Sequence, residues 1–163
     1  MKNLLIMRHA KSDWNDPSLK DFDRPLNERG KKSAPKIGKQ LVSRNKIPDL
    51  ILSSPAMRAK STAEIIARET DYKETIQHEK EFYFGDLSEI IDIIKKTNDL
   101  YNIVLMVGHN PTFESLVNKL SGKGQIHELP TASVVSILFD VKSWKLIEPQ
   151  KGQIEWQISP KDF

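Results

Sequence analysis

The stretch LLIMRHAKSDWN, beginning at Leu4, runs from apolar residues straight into Arg8 and His9. Later, IVLMVGHNP carries Ile103 to Val107 into Gly108, His109, Asn110 and Pro111. Between them, SSPAMRAKST places Arg58 shortly after another apolar run. Arginine grips phosphoryl oxygens bidentately, which a point charge does not. Neutral imidazole attacks phosphorus and forms a phosphohistidine that water can cleave, so one of these histidines could be a nucleophile. No acidic residue stands beside these side chains in their motifs, so together they would suit an anion and would need no metal. Each signal has a plainer reading. A histidine after a strand is more often structural, an arginine early in a helix is usually a surface residue, and Asn-Pro is a common turn. The weight lies in three such signals at equivalent strand ends.

Those ends need a scaffold. Leu4–Met7 reads as a fully buried strand, and Asp49–Ser53 and Ile103–Val107 as two more. Asn27 is placed to cap a helix with Ala34, Ile37, Leu41 and Val42 on one face and Pro35 near its start. Met57, Ala59, Ala63, Ile66 and Ala67 give a second helical period, Glu74–His78 a weak strand, and Leu87–Ile94 a short helix. Pro111 suits the first turn of a helix carrying Phe113, Leu116, Val117 and Leu120. The end reads as β-rich at Val134–Val141, Trp144–Ile147 and Ile154–Ile158. Alternating strands and helices predict a three-layer α/β/α sandwich, its central sheet mostly parallel with an antiparallel edge. In such a sheet the strand C-termini share one edge, where ligands bind and helix N-termini add partial positive charge. Arg8, His9, Arg58 and His109 are expected to converge there.

With 163 residues, 38% hydrophobic and 29% charged, the chain has the composition of one globular domain, residues 1–163. The absence of cysteine excludes disulfides, thiolate catalysis and cysteine-bound zinc. His9, His78, His109 and His127 lack compact metal-ligand spacing, so neither a metal nor a cofactor is expected. The net charge of +3 is spread over isolated pairs such as Lys31-Lys32 and Lys95-Lys96, unlike a nucleic-acid footprint. The first apolar run stops at Arg8, short of a signal segment or membrane span, and the expected compartment is the cytoplasm.

Taken jointly, the motifs resemble those of the histidine phosphatase superfamily, also called phosphoglycerate-mutase-like. RHAKSDWN is similar to that family's RHG-E-S-x-W-N, DRPLNERG to PLT-x-x-G, SSPAMRAKSTAE to SSPL-x-R-A-x-x-T-A, and VGHNP to its second-histidine motif. They occur in family order from Leu4 to about Leu120. The ending, LPTASVVSILFD to SPKDF, looks closest to the branch containing the phosphohistidine phosphatase SixA. The resemblance implies that His9 is phosphorylated, that Arg8, Arg58 and His109 form a phosphate pocket, and that Asn15 aligns with an asparagine that touches phosphate in mutases. It also implies a carboxylic acid between the two halves of the motif set. Glu81 is the candidate, Glu79 the reserve, and a solvated loop glutamate the competing reading. Ala10 stands where the family has glycine. Lys11 stands where mutases have glutamate, which points away from phosphoglycerate or sugar phosphates.

The expected function is therefore that of a metal-independent phosphatase acting through a phosphohistidine intermediate, with no cofactor. Its expected partner is a protein phosphorylated on histidine. A small phosphoester is the alternative substrate, and a phosphate-binding module without catalysis is the alternative of another class. Too few residues remain for a large helical insertion over the site, so an open pocket is expected. Neither nucleic acid nor membrane is expected as a partner, and the sequence leaves the oligomeric state open.

Overall fold

In a computed structural model of the chain, residues 1–122 and 124–163 are described. The strands are β1 (Lys2–Arg8), β2 (Leu50–Ser53), β3 (Gln77–His78), β4 (Ile103–Gly108), β5 (Val134–Phe139) and β6 (Gln153–Ile158). The helices are α1 (Glu28–Ser43), α2 (Met57–Glu69), α3 (Glu81–Phe84), α4 (Leu87–Lys95) and α5 (Thr112–Leu120). The strands form one sheet in the order β3-β2-β4-β1-β5-β6. β1, β2, β3 and β4 pair in parallel, while β5 runs antiparallel to both β1 and β6. This is the expected α/β architecture with an antiparallel edge.

β1 is continuously apolar because both of its faces are covered. Leu5 and Met7 pack with Ile37 and Leu41 of α1 and Ile66 of α2. Leu4 and Ile6 pack on the opposite side with Phe113, Leu116 and Val117 of α5 and Ile90 of α4. Asn27 caps α1 as expected, its side-chain oxygen accepting from the Gly30 N–H at 2.8 Å. Among the described residues, no helix is long and apolar enough to cross a membrane.

Several expectations are corrected. Trp144–Ile147 is not a strand. Trp144–Leu146 is a 3₁₀ turn, with the Trp144 indole N–H donating to the Tyr101 carbonyl at 2.7 Å and its backbone N–H to Asp99 at 2.9 Å. A buried tryptophan must place its N–H on an acceptor, and that requirement draws the segment onto the α4 side of the core. The weak strand contracts to Gln77–His78, and the strand from Val134 ends at Phe139. Pro35 lies inside α1 rather than near its start, so the helix gives up one backbone bond there. Val42 falls off the apolar face and is 41% exposed, because Ile37, Gly38 and Leu41 already occupy that face.

The register matters most for the site. Arg8 lies opposite Gly108, and Val107 opposite Ser53. The pairing extends one residue further, with His9 N–H donating to the Gly108 carbonyl at 3.0 Å and Ser54 N–H to the Val107 carbonyl at 2.9 Å. Gly108 is needed here, because a Cβ would drive into the Phe113 ring. Gly108→Ala should therefore lower stability to urea by roughly 1–3 kcal/mol, and adding Phe113→Leu should restore part of the loss. A Gly108→Ala protein as stable as the parent would contradict this packing.

Candidate active site

Because β1, β4 and β2 end level with one another, the residues that follow them are neighbours. The His9 and His109 ring centroids are 5.1 Å apart. Arg58 enters from the first turn of α2, directly after β2. Arg8, His9, Arg58 and His109 all line one cavity of about 260 Å³. Lys11, Ser12, Trp14, Arg24, Asn110 and Thr131 complete its wall, which includes no aspartate or glutamate among the described residues.

His9 is almost fully buried, and its Nδ1 lies 2.7 Å from the Ala10 carbonyl. A carbonyl only accepts, so Nδ1 carries the hydrogen and Nε2 keeps its lone pair. Burial pushes the His9 imidazole down to about 4, with Arg58, Arg8 and Arg24 adding repulsion against the bond to Ala10. His109 is pushed down to about 3, chiefly by burial and then by His9 and Arg58. Its Nε2 is 2.8 Å from the Ser54 hydroxyl, whose oxygen also accepts from the Ala56 N–H. Both rings are neutral at pH 7.

Three buried nitrogens of the wall residues, Arg8 Nε, Arg58 Nε and His109 Nδ1, have no hydrogen-bond partner among the described residues. Buried polar groups are rarely left so. A tetrahedral oxyanion, with acceptors on every side, fits such a set of donors.

One acid does touch the arginines. Asp21, in the 3₁₀ turn Asp21–Asp23, accepts from Arg58 at 3.0 Å, Arg24 at 3.1 Å and the Tyr83 hydroxyl at 2.6 Å. The Tyr83 bond, followed by Arg58, holds this carboxyl down at about 2. It is ionised at neutral pH and serves as a brace: Arg58 Nη1 also donates to the Asp21 carbonyl at 2.8 Å. Arg24 is further fixed by Ser12 at 2.9 Å and by the Trp14 ring beneath it. Thr62 ties the motifs together, accepting from the Ala10 N–H at 3.0 Å and donating to the Arg58 carbonyl at 2.7 Å.

The other expected site residues lie elsewhere. Asn15 is exposed, with its backbone N–H held by Asp13, and does not line the cavity. Glu81 is half-buried at the start of α3 and also stays out of the lining. Glu79 borders a different hollow beside Leu50 and Ile93. Arg24, Asp21 and Tyr83 were not expected in the site. Arg24 could have been found within the DRPLNERG motif, but nothing local marks Tyr83, which meets Asp21 across 62 positions of sequence.

Residues 4–101 match the family described as the histidine phosphatase superfamily, branch 1. The chain belongs to this superfamily. An uncharacterized chloroplastic protein of Arabidopsis thaliana is 32% identical over 96% of this chain and 75% of its own length. A SixA-type phosphohistidine phosphatase structure from Agrobacterium tumefaciens superposes with a TM-score of 0.83 at 28% identity, over 98% of each chain. The protein histidine phosphatase SixA, in complex with tungstate, superposes at 0.85 with 23% identity, again over 98% of each chain. The protein is thus a phosphatase of the superfamily's SixA-like branch. In this phosphatase His109 lies beyond the matched segment, and the strand register joins it to the rest of the motif set.

The depressed imidazoles carry a stability consequence. Below about pH 6.5 the unfolded chain protonates His9 and His109, while the native rings stay neutral down to about 4 and about 3. The unfolded state then binds more protons, so stability is full above pH 6.5 and falls as the pH drops toward 4. The slope should be roughly 1 kcal/mol per histidine per pH unit. Urea unfolding at a series of pH values reads this directly, and His109→Gln should halve the slope. A flat profile across the window would contradict the buried neutral pair.

Proposed function

We propose that this enzyme is a metal-independent phosphohistidine phosphatase in which His9 Nε2 is the nucleophile and a phosphorylated protein histidine is the substrate. The observation that carries the reading is the bond from His9 Nδ1 to the Ala10 carbonyl, because it fixes the tautomer with a free lone pair on Nε2. Arg8, Arg58 and His109 bind the phosphoryl oxygens and stabilise the charge that develops in transfer. In the tautomer in which the Ser54 hydroxyl donates to Nε2 of His109, the ring's proton lies on Nδ1, where an oxyanion can accept it. Three arginines and Lys11 in the cavity wall disfavour a divalent cation there.

In the first step the substrate's P–N bond breaks as a bond forms from phosphorus to His9 Nε2. A phosphohistidine protonated on its ring departs as neutral imidazole and needs no acid. Water then attacks phosphorus, releases His9 and gives its proton to the departing phosphate. An alkyl phosphate would instead expel an alkoxide, which demands a proton donor in the transition state. Among the described residues the cavity wall offers no carboxyl for that role, and Asp21, which bonds to Arg58 and Arg24, is held ionised. That absence favours phosphohistidine over alkyl esters.

The test is kcat/KM across leaving groups. A phosphohistidine protein and activated aryl phosphates should exceed alkyl phosphates by roughly 100-fold or more, the scale of general-acid catalysis, and a chelator should change nothing. Glu81→Gln is the control, since it slows alkyl esters selectively only if Glu81 reaches the leaving group. Fast hydrolysis of a sugar phosphate, with phosphohistidine protein untouched, would identify a small-molecule phosphomonoesterase. Phosphate binding without any turnover would identify a binding module.

A further inference from the structure

A second hollow of about 200 Å³ adjoins the phosphate cavity. Lys11 and Thr131 line both, so the two are neighbours. The second hollow gathers Lys11, Arg29 and Lys161 from three separate segments: the loop after β1, the first turn of α1 and the 3₁₀ turn Pro160–Asp162. No aspartate or glutamate lines it, and none of the three cations makes an ion pair among the described residues. Like charges brought to one concavity repel one another and raise the local concentration of anions. The positive stretch ends at Lys161, because the next hollow contains Glu128 and Asp162.

The chain next to Thr131, which lines both hollows, is rigidly built. Ala132 sits at φ 60°, the left-handed region that residues with a Cβ avoid. Its N–H is held by the Arg8 carbonyl at 3.1 Å and the His9 carbonyl at 3.0 Å, and the Ser133 N–H by the Pro130 carbonyl at 3.0 Å. Strain of this kind persists where the surroundings over-determine it, typically at ligand clamps. Lys11 is fixed against α1, its carbonyl accepting from the Asn27 N–H at 3.0 Å, and a Cβ on Gly30 would strike that carbonyl.

We propose that this hollow binds a second anionic group of the substrate, beside the phosphoryl group under attack. On a protein substrate that group is the carboxylate of an acidic side chain flanking the phosphorylated histidine. On a small molecule it is a second phosphate. The assignment rests on the phosphatase reading of the adjoining cavity. It makes Lys11, Arg29 and Lys161 determinants of specificity for anionic substrates.

The test compares kcat/KM for pairs of substrates in the wild type and in Arg29→Ala/Lys161→Ala. One pair is a phosphohistidine peptide with flanking glutamates and the same peptide with flanking alanines. The other is an aryl phosphate with and without a second phosphate on the ring. Exposed ion pairs of this kind support a preference of roughly five-fold for the more anionic member, fading as salt is added. In the double variant the ratio should fall to about one. A preference in the peptide pair assigns the hollow to acidic protein segments, and a preference confined to the aryl pair assigns it to a second phosphate. Equal rates within both pairs in the wild type, or a preference that survives the double substitution, overturns the proposal. If the enzyme ignores phosphohistidine altogether, the protein-substrate reading fails while the aryl pair still tests the hollow.

Discussion

Parallel pairing of β1, β4 and β2 in one register is the constraint on which the site depends. Level strand ends place His9, His109 and Ser54 side by side, although they come from positions far apart in the chain. A one-residue slip would turn each side chain to the other face of the sheet. The register is held from both sides, since Leu5 and Met7 face α1 and α2 while Leu4 and Ile6 face α4 and α5. Strand ends cannot shift without exposing one of these layers.

Charge is distributed unevenly over that edge. Arg8, Arg24 and Arg58 approach it, and Asp21 answers two of them from outside the cavity wall. Burial first, and these charges after it, keep the histidines neutral, at a cost in stability below pH 6.5. The same burial that makes them costly keeps the His9 lone pair free for chemistry. Tyr83 joins the two halves of this arrangement, with its hydroxyl on Asp21 and its ring 5.3 Å from His109. The carboxylate therefore positions Arg58 and is not available as an acid.

What the sequence made legible follows from which signals are local. β1 and β4 read clearly because strands covered on both faces are unbroken apolar runs, and α1 because Asn27 caps it. Arg8, His9, Arg58 and His109 could be proposed together because each lies at or shortly after the end of such a run. Trp144 misled the reading because its fate is decided by an acceptor at Tyr101, distant in sequence. Asp21 and Tyr83 were invisible for the same reason. Glu81 was chosen by its place between the motifs and Asn15 by its match to a family motif, and neither fixes direction: the turn at Asp13 leaves Asn15 exposed, and α3 leaves Glu81 outside the cavity wall.

The central claim is that His9 carries the phosphoryl group. It is tested most directly by quenching the enzyme within milliseconds of mixing with phosphorus-labelled substrate and locating the label. The account predicts an acid-labile, base-stable adduct on His9 that forms and decays at the rate of turnover, and its absence, together with turnover, in His9→Ala. Label on another residue, or near-normal turnover by His9→Ala, would contradict it.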